Sequence, residues 1–248
     1  MKQLFTFLFL LFNGVLFAQT PEAIEADLLN AFKKIDGDKN QDKIFEFNSQ
    51  FAKKLKFYTE KFPNTINQKF SKLVTNGLVI STATDGNLRI YSWDTNGGGT
   101  WLFFESVFQY KVGDKTYAIL DTPMVEGESR LNYTKIYSFN TNGETYYLCS
   151  FLEIGSTKDV GGGVQCFTIK DGKLNTNAKI IKTKSGLKSE IRYGYDFRSV
   201  VDWKVRPIIL FDDKTNTLQI PLVDGNYKMT HKFITYQFTS QYFERVRN

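Results

Sequence analysis

Between residues 19 and 77, apolar residues recur at the three- and four-residue spacing of amphipathic helices. The first helix is predicted to begin after Thr20, whose hydroxyl can cap it, with Pro21 at a position that needs no N–H. Its apolar face consists of Ile24, Leu28, Ala31, Phe32 and Ile35. A second helix is predicted to end near Pro63, and its apolar face consists of Ile44, Phe47, Phe51, Leu55 and Tyr58. A third, short helix is predicted over residues 65–74.

From residue 78 onward, short runs rich in Val, Ile, Tyr, Phe and Thr alternate with turn residues. Six pairs of such runs predict six hairpins and about twelve strands. The connections are Asp85-Gly86-Asn87, Gly113-Asp114, Asn142-Gly143, Asp171-Gly172, residues 212–216 and residues 239–241. Asn-Gly and Asp-Gly favour two-residue hairpin turns because both central positions need a positive φ.

Consecutive hairpins favour an antiparallel meander, so we expect residues 78–248 to form a β domain on which the helical segment, residues 19–77, packs. The fold class predicted is therefore mainly β, with the meander closed into a sandwich or a barrel. A small propeller-like arrangement is the alternative, because units such as residues 136–148 resemble propeller hairpins. A propeller needs about four strands in each of at least four blades, which exceeds the number predicted.

Residues 1–18 have the pattern of a secretory signal peptide. Lys2 precedes an apolar run from Leu4 to Phe17, and Ala18 is a small residue at its end. The run is shorter than the about 20 apolar residues that span a bilayer. We therefore predict cleavage after Ala18, export to the periplasm or the medium, and no membrane span in the mature chain. An uncleaved N-terminal anchor is the alternative.

Composition places the chain among globular proteins, with 42% hydrophobic, 16% aromatic and 23% charged residues. The formal net charge of +6 is spread along the sequence and forms no block of like charges. A basic balance favours acidic partners, such as an anionic glycan or a component of the cell envelope. The sequence contains no recognised nucleic-acid-binding motif, so nucleic acid is not an expected partner.

Cys149 and Cys166 are the two cysteines of the chain, and an exported protein can join them. Both lie in predicted strands. If these strands pair antiparallel so that opposing residue numbers sum to 315, Cys149 faces Cys166, at a separation that suits a disulfide. Closing a loop of this length with a disulfide would stabilise the folded state by about 3 kcal/mol. We expect this disulfide, and two buried free thiols are the alternative.

Two glycine-rich segments lie next to aromatic residues. Residues 94–100 contain three consecutive glycines, but a phosphate-binding loop needs a following helix, and an aromatic strand follows instead. We interpret this segment as a hairpin connection in which Asp94 or Asn96 bonds its own backbone. A second glycine loop, residues 158–163, would frame a shallow groove with the first if both lie at one end of the sheet.

Tryptophan supplies the predicted ligand-binding surface, because indole faces stack on sugar rings and cover apolar ligand surface. Core packing of the same tryptophans is the alternative. The candidate ligand-binding residues are Trp93, Asp94, Trp101 and Trp203.

Catalytic chemistry is restricted by what the sequence lacks. His231 is the single histidine, and there is no G-x-S-x-G motif. With the cysteines expected to be bonded, too few ligands remain for a zinc site. Carboxylates are left, and a glycoside hydrolase needs two of them about 5–10 Å apart. The candidates are Asp94, Glu105, Glu126, Glu128 and Asp202.

The polar connector between the first two predicted helices partly matches a calcium-binding loop. Positions 1, 3, 5 and 7 hold Asp36, Asp38, Asn40 and Asp42. Gln41 replaces the glycine of the sixth position, and Phe47 stands where a bidentate glutamate is needed. We therefore expect a plain helix connector without a metal, and calcium is the alternative.

The run DGNLRIYSWDTNGGGTW at residues 85–101, the run ITYQFTSQYFERV at residues 234–246 and the leader ending in FAQ resemble uncharacterised exported proteins of Bacteroidetes-type bacteria. The resemblance rests on about thirty residues. It implies export and a β-rich body, and it carries no activity and no functional residue.

These features predict an exported, non-catalytic β-protein that binds an extracellular or envelope ligand, such as a glycan, without a cofactor. The aromatic residues beside the glycine segments and the lack of a nucleophile set favour this function. A carboxylate-dependent glycan hydrolase is the second hypothesis, and a structural accessory protein is the third.

Overall fold

The computed structural model describes residues 20–98, 101–121, 131–156, 158–199 and 208–246. The chain is mainly β, with 48% of residues in strands and 25% in helices, and helices at the N-terminus precede antiparallel sheets. The predicted leader, residues 1–18, lies outside the described residues. Within the ranges described, no helix is both long and apolar enough to cross a membrane.

Two long helices form the first layer. Helix α1 spans Pro21–Gly37 and begins as predicted, because the Thr20 hydroxyl accepts a hydrogen bond from the Ala23 N–H at 3.2 Å. Helix α2 spans Gln41–Lys61, and Asn40 is its N-cap. The predicted apolar faces of both helices are buried against the first sheet.

The third predicted helix, over residues 65–74, is wrong in its extent. The segment holds a 3-10 helix over Pro63–Asn67 and a short helix, α3, over Ser71–Thr75. Phe70 lies between them with a φ of +46°, which a continuous right-handed helix does not allow.

Fifteen strands follow in the part of the chain that is described. In order they are β1 (Val79–Thr82), β2 (Leu88–Asp94), β3 (Phe104–Val112), β4 (Lys115–Leu120), β5 (Asn132–Thr141), β6 (Glu144–Ile154), β7 (Asp159–Lys170), β8 (Lys173–Asn175), β9 (Ile181–Thr183), β10 (Gly186–Lys188), β11 (Glu190–Asp196), β12 (Leu210–Asp212), β13 (Thr217–Val223), β14 (Met229–Phe238) and β15 (Phe243–Arg245). They build sheet A in the order β1-β2-β3-β4, sheet B in the order β11-β7-β6-β5 with β8 beside β7, and sheet C in the order β10-β9-β15-β14-β13-β12.

All six predicted hairpins are present: β1–β2, β3–β4, β5–β6, β7–β8, β12–β13 and β14–β15. Asn142-Gly143 and Asp171-Gly172 have a positive φ at both positions, as the two-residue turn requires. The strands that the sequence pattern did not predict are β9, β10 and β11.

The helices and the three sheets stack in four layers, with an apolar core between each neighbouring pair. Helices α1 and α2 cover one face of sheet A, and sheet B packs on the other. Sheet C packs on the far face of sheet B. The fold is thus a sandwich of open sheets. No closed barrel forms in the described ranges, and the face-to-face stacking differs from the propeller alternative.

The predicted disulfide is wrong, because strands β6 and β7 pair one residue away from the register that it requires. Cys149 pairs with Gln165 and Leu148 with Cys166, so that opposing numbers sum to 314. Successive side chains of a strand point to opposite faces. Cys149 therefore lies between sheets A and B, whereas Cys166 lies between sheets B and C, and both are buried free thiols.

The second glycine segment is not a loop. Gly161, Gly162 and Gly163 lie inside strand β7. A Cβ atom at Gly163 would lie 2.3 Å from the Phe151 ring, and one at Gly162 would lie 2.7 Å from the Tyr193 hydroxyl oxygen. These glycines therefore leave the space in which two aromatic rings lie across the strand.

We predict two reactive thiols per molecule when protein that has met no reductant is denatured and titrated with a thiol reagent. Burial raises the pKa of both cysteine thiols, so the folded protein should react slowly. The urea midpoint should be the same with and without a reductant. Fewer than two thiols, or a midpoint that the reductant lowers, would contradict the free-thiol assignment.

The substitution Gly163→Ala should lower the free energy of unfolding by about 1–3 kcal/mol, because the new methyl group must displace the Phe151 ring or the strand. Gly194→Ala is the matched control, since its Cβ would meet nothing closer than 4.0 Å, and its effect should stay within about 0.5 kcal/mol. Urea denaturation measures both. Equal effects of the two substitutions would show that Gly163 is not packed as described.

Candidate functional site

An open groove of about 490 Å³ lies at the end of sheet B where β6 ends and β7 begins. It is lined by the first residues of β7 and the turn before them, by the edge strand β11, and by Asn226 and Tyr227 from the turn between β13 and β14. Trp101, from the loop between β2 and β3, also lines it. We call it the Trp101 groove. One loop of sheet A and one turn of sheet C thus meet there at the end of sheet B.

Backbone pairing between two sheets holds Trp101 at this groove. The Leu102 N–H donates to the Ile154 carbonyl at 3.1 Å, which ties the β2–β3 loop to the end of β6. The Trp101 side chain is 48% exposed. Gly155 lies beside it, since a Cβ there would be 3.8 Å from the indole ring. About half of Trp101 is therefore available to a ligand in the groove.

The glycine-rich segment before Trp101 is the hairpin connection that the sequence predicts. Strands β2 and β3 pair antiparallel on either side of it, with Asp94 opposite Phe104. The Asn96 N–H donates to the Asp94 carboxylate at 2.9 Å, which is the expected Asx turn. Because a strand follows, the described residues of this loop offer no helix N-terminus to a phosphate group.

Arg192 is a cation of the groove that is already neutralised. Its guanidinium donates hydrogen bonds to Glu190 and Glu153 and lies 5.3 Å from the centre of the Phe151 ring. Burial alone would lower the pKa of Arg192, but the hydrogen bonds to Glu190 and the charge of Glu153 outweigh burial, so the pKa is raised. Arg192 crosses the strand of glycines to reach Glu153, which connects β11 to β6.

Lys158 also has an acidic neighbour, since its ammonium nitrogen lies 3.8 Å from the Asp196 carboxylate. The Ser156 hydroxyl organises the turn before β7: it donates to Asp159 at 3.0 Å and accepts from the Asp159 N–H at 2.9 Å. Each cation that lines the groove in the described part of the chain thus has a carboxylate partner.

Tyr193 and Tyr227 add aromatic surface to the groove, and Tyr195 lines it from a buried position. Tyr193 and Tyr195 of β11 stack with ring centroids 6.1 Å apart and an interplanar angle of 23°. Burial raises the pKa of Tyr193, and its hydroxyl is protonated at neutral pH, as that of an ordinary tyrosine is. Tyr227 is 70% exposed. The lining therefore combines aromatic faces with carboxylates and hydroxyl groups.

The predicted tryptophan pair is not brought together. Trp93 is fully buried between the helices and sheet A, where its indole N–H donates to the Asn48 side chain at 2.9 Å and its ring meets Phe51 edge-on at 5.0 Å. The core-packing alternative therefore holds for Trp93, whereas Trp101 lies in the groove. Trp203 lies outside the residues described.

The two carboxylates predicted for hydrolysis that fall in the described ranges, Asp94 and Glu105, do not line the Trp101 groove. Asp94 lies at the Asx turn beside Asp36, and Glu105 lies with Asp121 in a separate cavity of about 170 Å³ between α2 and sheet A. Glu126, Glu128 and Asp202 fall outside the described ranges. The carboxylates that do line the groove are Glu153, Asp159 and Asp196.

The calcium candidates act as helix caps and turn residues. Asn40 accepts hydrogen bonds from the N–H groups of Asp42 and Lys43, so α2 begins where the second half of a calcium loop would lie. Asp38 accepts from the Asn40 N–H and pairs with Lys43 at 3.3 Å, and Asp36 accepts from the Asn96 amide. Across the described ranges, no three His, Cys, Asp or Glu side chains lie close enough to hold a metal ion.

Sequence reasoning missed strand β11, which supplies one wall of the groove. Its sequence EIRYGYD alternates Ile191, Tyr193 and Tyr195 with Arg192 and Gly194, and this alternation is typical of a strand with two different faces. That signal was available in the sequence.

We predict that Asp94→Asn raises the free energy of unfolding at neutral pH. Burial raises the pKa of Asp94, the hydrogen bond from Asn96 lowers it, and the nearby charge of Asp36 raises it, with a raised pKa as the net result. The folded state therefore retains this proton to a higher pH than the unfolded chain, and its stability falls as the carboxyl ionises. Asparagine keeps the acceptor oxygen without the charge.

The gain from Asp94→Asn should shrink as the pH falls through the raised pKa of folded Asp94, and it should be largely gone below the ordinary aspartate pKa of 3.8. Asp212→Asn is the control of opposite sign, because hydrogen bonds from Thr215 and the Lys214 N–H lower the pKa of Asp212. Removing the negative charge of Asp212 should therefore bring no gain in stability at neutral pH. Urea denaturation across the acidic range measures both, and a gain for Asp94→Asn that grows with falling pH would refute the assignment.

The chain matches no known protein family, no curated protein and no solved structure. The resemblance to exported bacterial proteins therefore stays a prediction.

Proposed function

We propose that the protein is an exported, non-catalytic binding protein whose ligand is a glycan held in the Trp101 groove. The half-exposed indole of Trp101 on the wall of this groove carries the proposal. Indole faces cover the apolar C–H faces of sugar rings, while carboxylates and amides bond the hydroxyl groups around the ring edge. Asp159, Asn226 and the Tyr193 hydroxyl provide such polar groups in the lining.

The charges of the groove favour a neutral glycan over an anionic one. Arg192 and Lys158 are the cations in the described lining, and both have carboxylate neighbours. Glu153, Asp159 and Asp196 add negative charge. An acidic sugar would have to displace an existing ion pair and approach these carboxylates, which costs free energy that a neutral sugar does not spend.

Binding without hydrolysis fits the carboxylates better than turnover does. A glycoside hydrolase needs two carboxyl groups directed at one glycosidic bond. Glu153 is already held by Arg192, and Asp196 lies near Lys158. Of the carboxylates predicted from the sequence, Asp94 and Glu105 lie away from the groove.

Trp101→Ala should weaken retention on neutral polysaccharides at least about tenfold, because exposed tryptophans at binding sites commonly carry more than 1.4 kcal/mol of affinity. Phe57→Ala is the matched control, since Phe57 is a 50% exposed aromatic on α2, outside the groove lining. Affinity electrophoresis in gels containing neutral or acidic polysaccharide measures both variants. Unchanged retention of the Trp101 variant would refute the groove as the site.

A parallel assay for released reducing ends separates the three functions. Glycan binding without release supports the proposal. Release that is lost in Glu153→Gln or Asp159→Asn would establish the hydrolase instead. The absence of both binding and release would favour the structural accessory protein.

A further inference from the structure

Sheet C is interrupted beside its short strand β15. Strand β14 pairs with β13 from Met229 to Gln237, but it pairs with β15 only from Tyr236 to Phe238. On the other side of β15, strand β9 touches it through a single pair, Phe243 with Ile181. Beyond β15, therefore, no strand among the described residues lies between β14 and β9.

An opening of about 850 Å³ lies at this interruption, between β9, β14 and the end of β15. We call it the strand slot. The edge of β14 without a strand partner on this side runs from His231 to Thr235 among the described residues, and the part of it that lines the slot begins at Phe233. The Met229 N–H is already bonded to the Ser199 hydroxyl at 3.0 Å, and the Thr235 carbonyl accepts a hydrogen bond from the Val246 N–H at 2.9 Å. At about 3.3 Å per residue, these five residues span about 15 Å, which lies within the range of strand lengths.

The strand slot is basic. Its lining holds Lys182, Lys184 and Arg245 against the single carboxylate of Glu244. Glu244 is already paired with Lys182 at 2.8 Å. Neither Lys184 nor Arg245 forms an ion pair with any residue in the described ranges. Two cations are thus left to receive acidic side chains.

The slot also offers apolar contact. Phe233 is 42% exposed and Val246 is 41% exposed, and both line the slot. In a strand, side chains alternate between the two faces. A peptide whose acidic and apolar residues alternate would therefore match both the cations and the exposed apolar side chains.

We propose that the strand slot binds an extended acidic segment of a partner polypeptide as an additional strand of sheet C. The exposed edge of β14 supplies main-chain hydrogen bonds, and Lys184 and Arg245 select acidic side chains. An edge strand that is not protected is a template for pairing with another chain. Strand β9 lines the same opening through Lys182 and Thr183.

A labelled peptide of about eight residues, in which glutamate alternates with valine, is the probe. It should bind the full chain, and binding should weaken as salt is added. Hydrogen exchange should slow in residues 231–235 on binding, because inserted main-chain groups protect those amides. A peptide with lysine in place of glutamate and a peptide with a central proline should both bind at least about tenfold more weakly.

The double variant Lys184→Glu with Arg245→Glu should weaken binding of the probe at least about tenfold. Lys39→Glu with Lys111→Glu is the matched control, because both lysines are exposed, lie outside the slot lining and change the net charge equally. Its affinity should equal that of the unmodified protein at constant salt. Urea denaturation of both double variants verifies that each is folded.

Three results would overturn the proposal. One is the absence of binding at millimolar probe. Another is equal binding of the proline peptide, which would mean that charge alone attracts the probe. The last is tight binding to vesicles containing anionic lipid that is lost in the Lys184 and Arg245 variant, while the probe leaves hydrogen exchange in residues 231–235 unchanged. That last result would assign the basic surface to a membrane.

Discussion

Burial of sheet B on both faces is the constraint on which the rest of the structure depends. Strands β6 and β7 must present apolar side chains to sheet A and to sheet C at once. A shift of one residue between them would exchange every side chain of one strand between the two cores, so the register is fixed by packing. The separation of Cys149 and Cys166 into different cores follows directly. The same packing explains why β7 contains glycines, because Phe151 and Tyr193 need the space that Gly162 and Gly163 leave.

The helix layer is attached differently, through buried polar groups as well as apolar packing. Asn48 on α2 accepts from Trp93 and donates to the carbonyl of Thr95 at 2.9 Å. Gln109 on β3 donates to the carbonyl of Thr59 at 2.7 Å. Arg89 on β2 donates to carbonyl groups of the 3-10 helix and the residue after it, and burial lowers its pKa without removing its charge at neutral pH. Each of these donors and acceptors needs a hydrogen-bond partner once it is buried. Apolar contact alone tolerates sliding, whereas these bonds fix how the helices lie on sheet A.

Turn chemistry and apolar spacing act locally, so the sequence predicted both long helices, all six hairpins and the mainly β class. The register between β6 and β7 depends on which face each side chain must bury, and that depends on two other sheets that a single sequence does not reveal. Gly161–Gly163 gave a turn signal, although their role is to admit rings from neighbouring strands. At the site, the sequence predicted both Trp101 and Trp93 as ligand-binding residues. It could not show that Trp93 is buried, because the helices that pack on sheet A decide this. Arg192 and its carboxylate partners were missed together with β11.

Charge pairing distinguishes the two surfaces, and the distinction rests on strand geometry. In the Trp101 groove, both cations of the described lining lie within reach of carboxylates: Arg192 bonds Glu153 two strands away, and Lys158, in the turn before β7, lies near Asp196. At the strand slot, β15 is short, and Glu244 can reach Lys182 while Lys184 extends past the end of β9. A cation without a neighbouring strand has no adjacent position from which a carboxylate could form an ion pair with it. Two positive charges, those of Lys184 and Arg245, are therefore left without an ion pair in the described ranges at the slot. A strand added there, as proposed, would supply both backbone partners and acidic side chains.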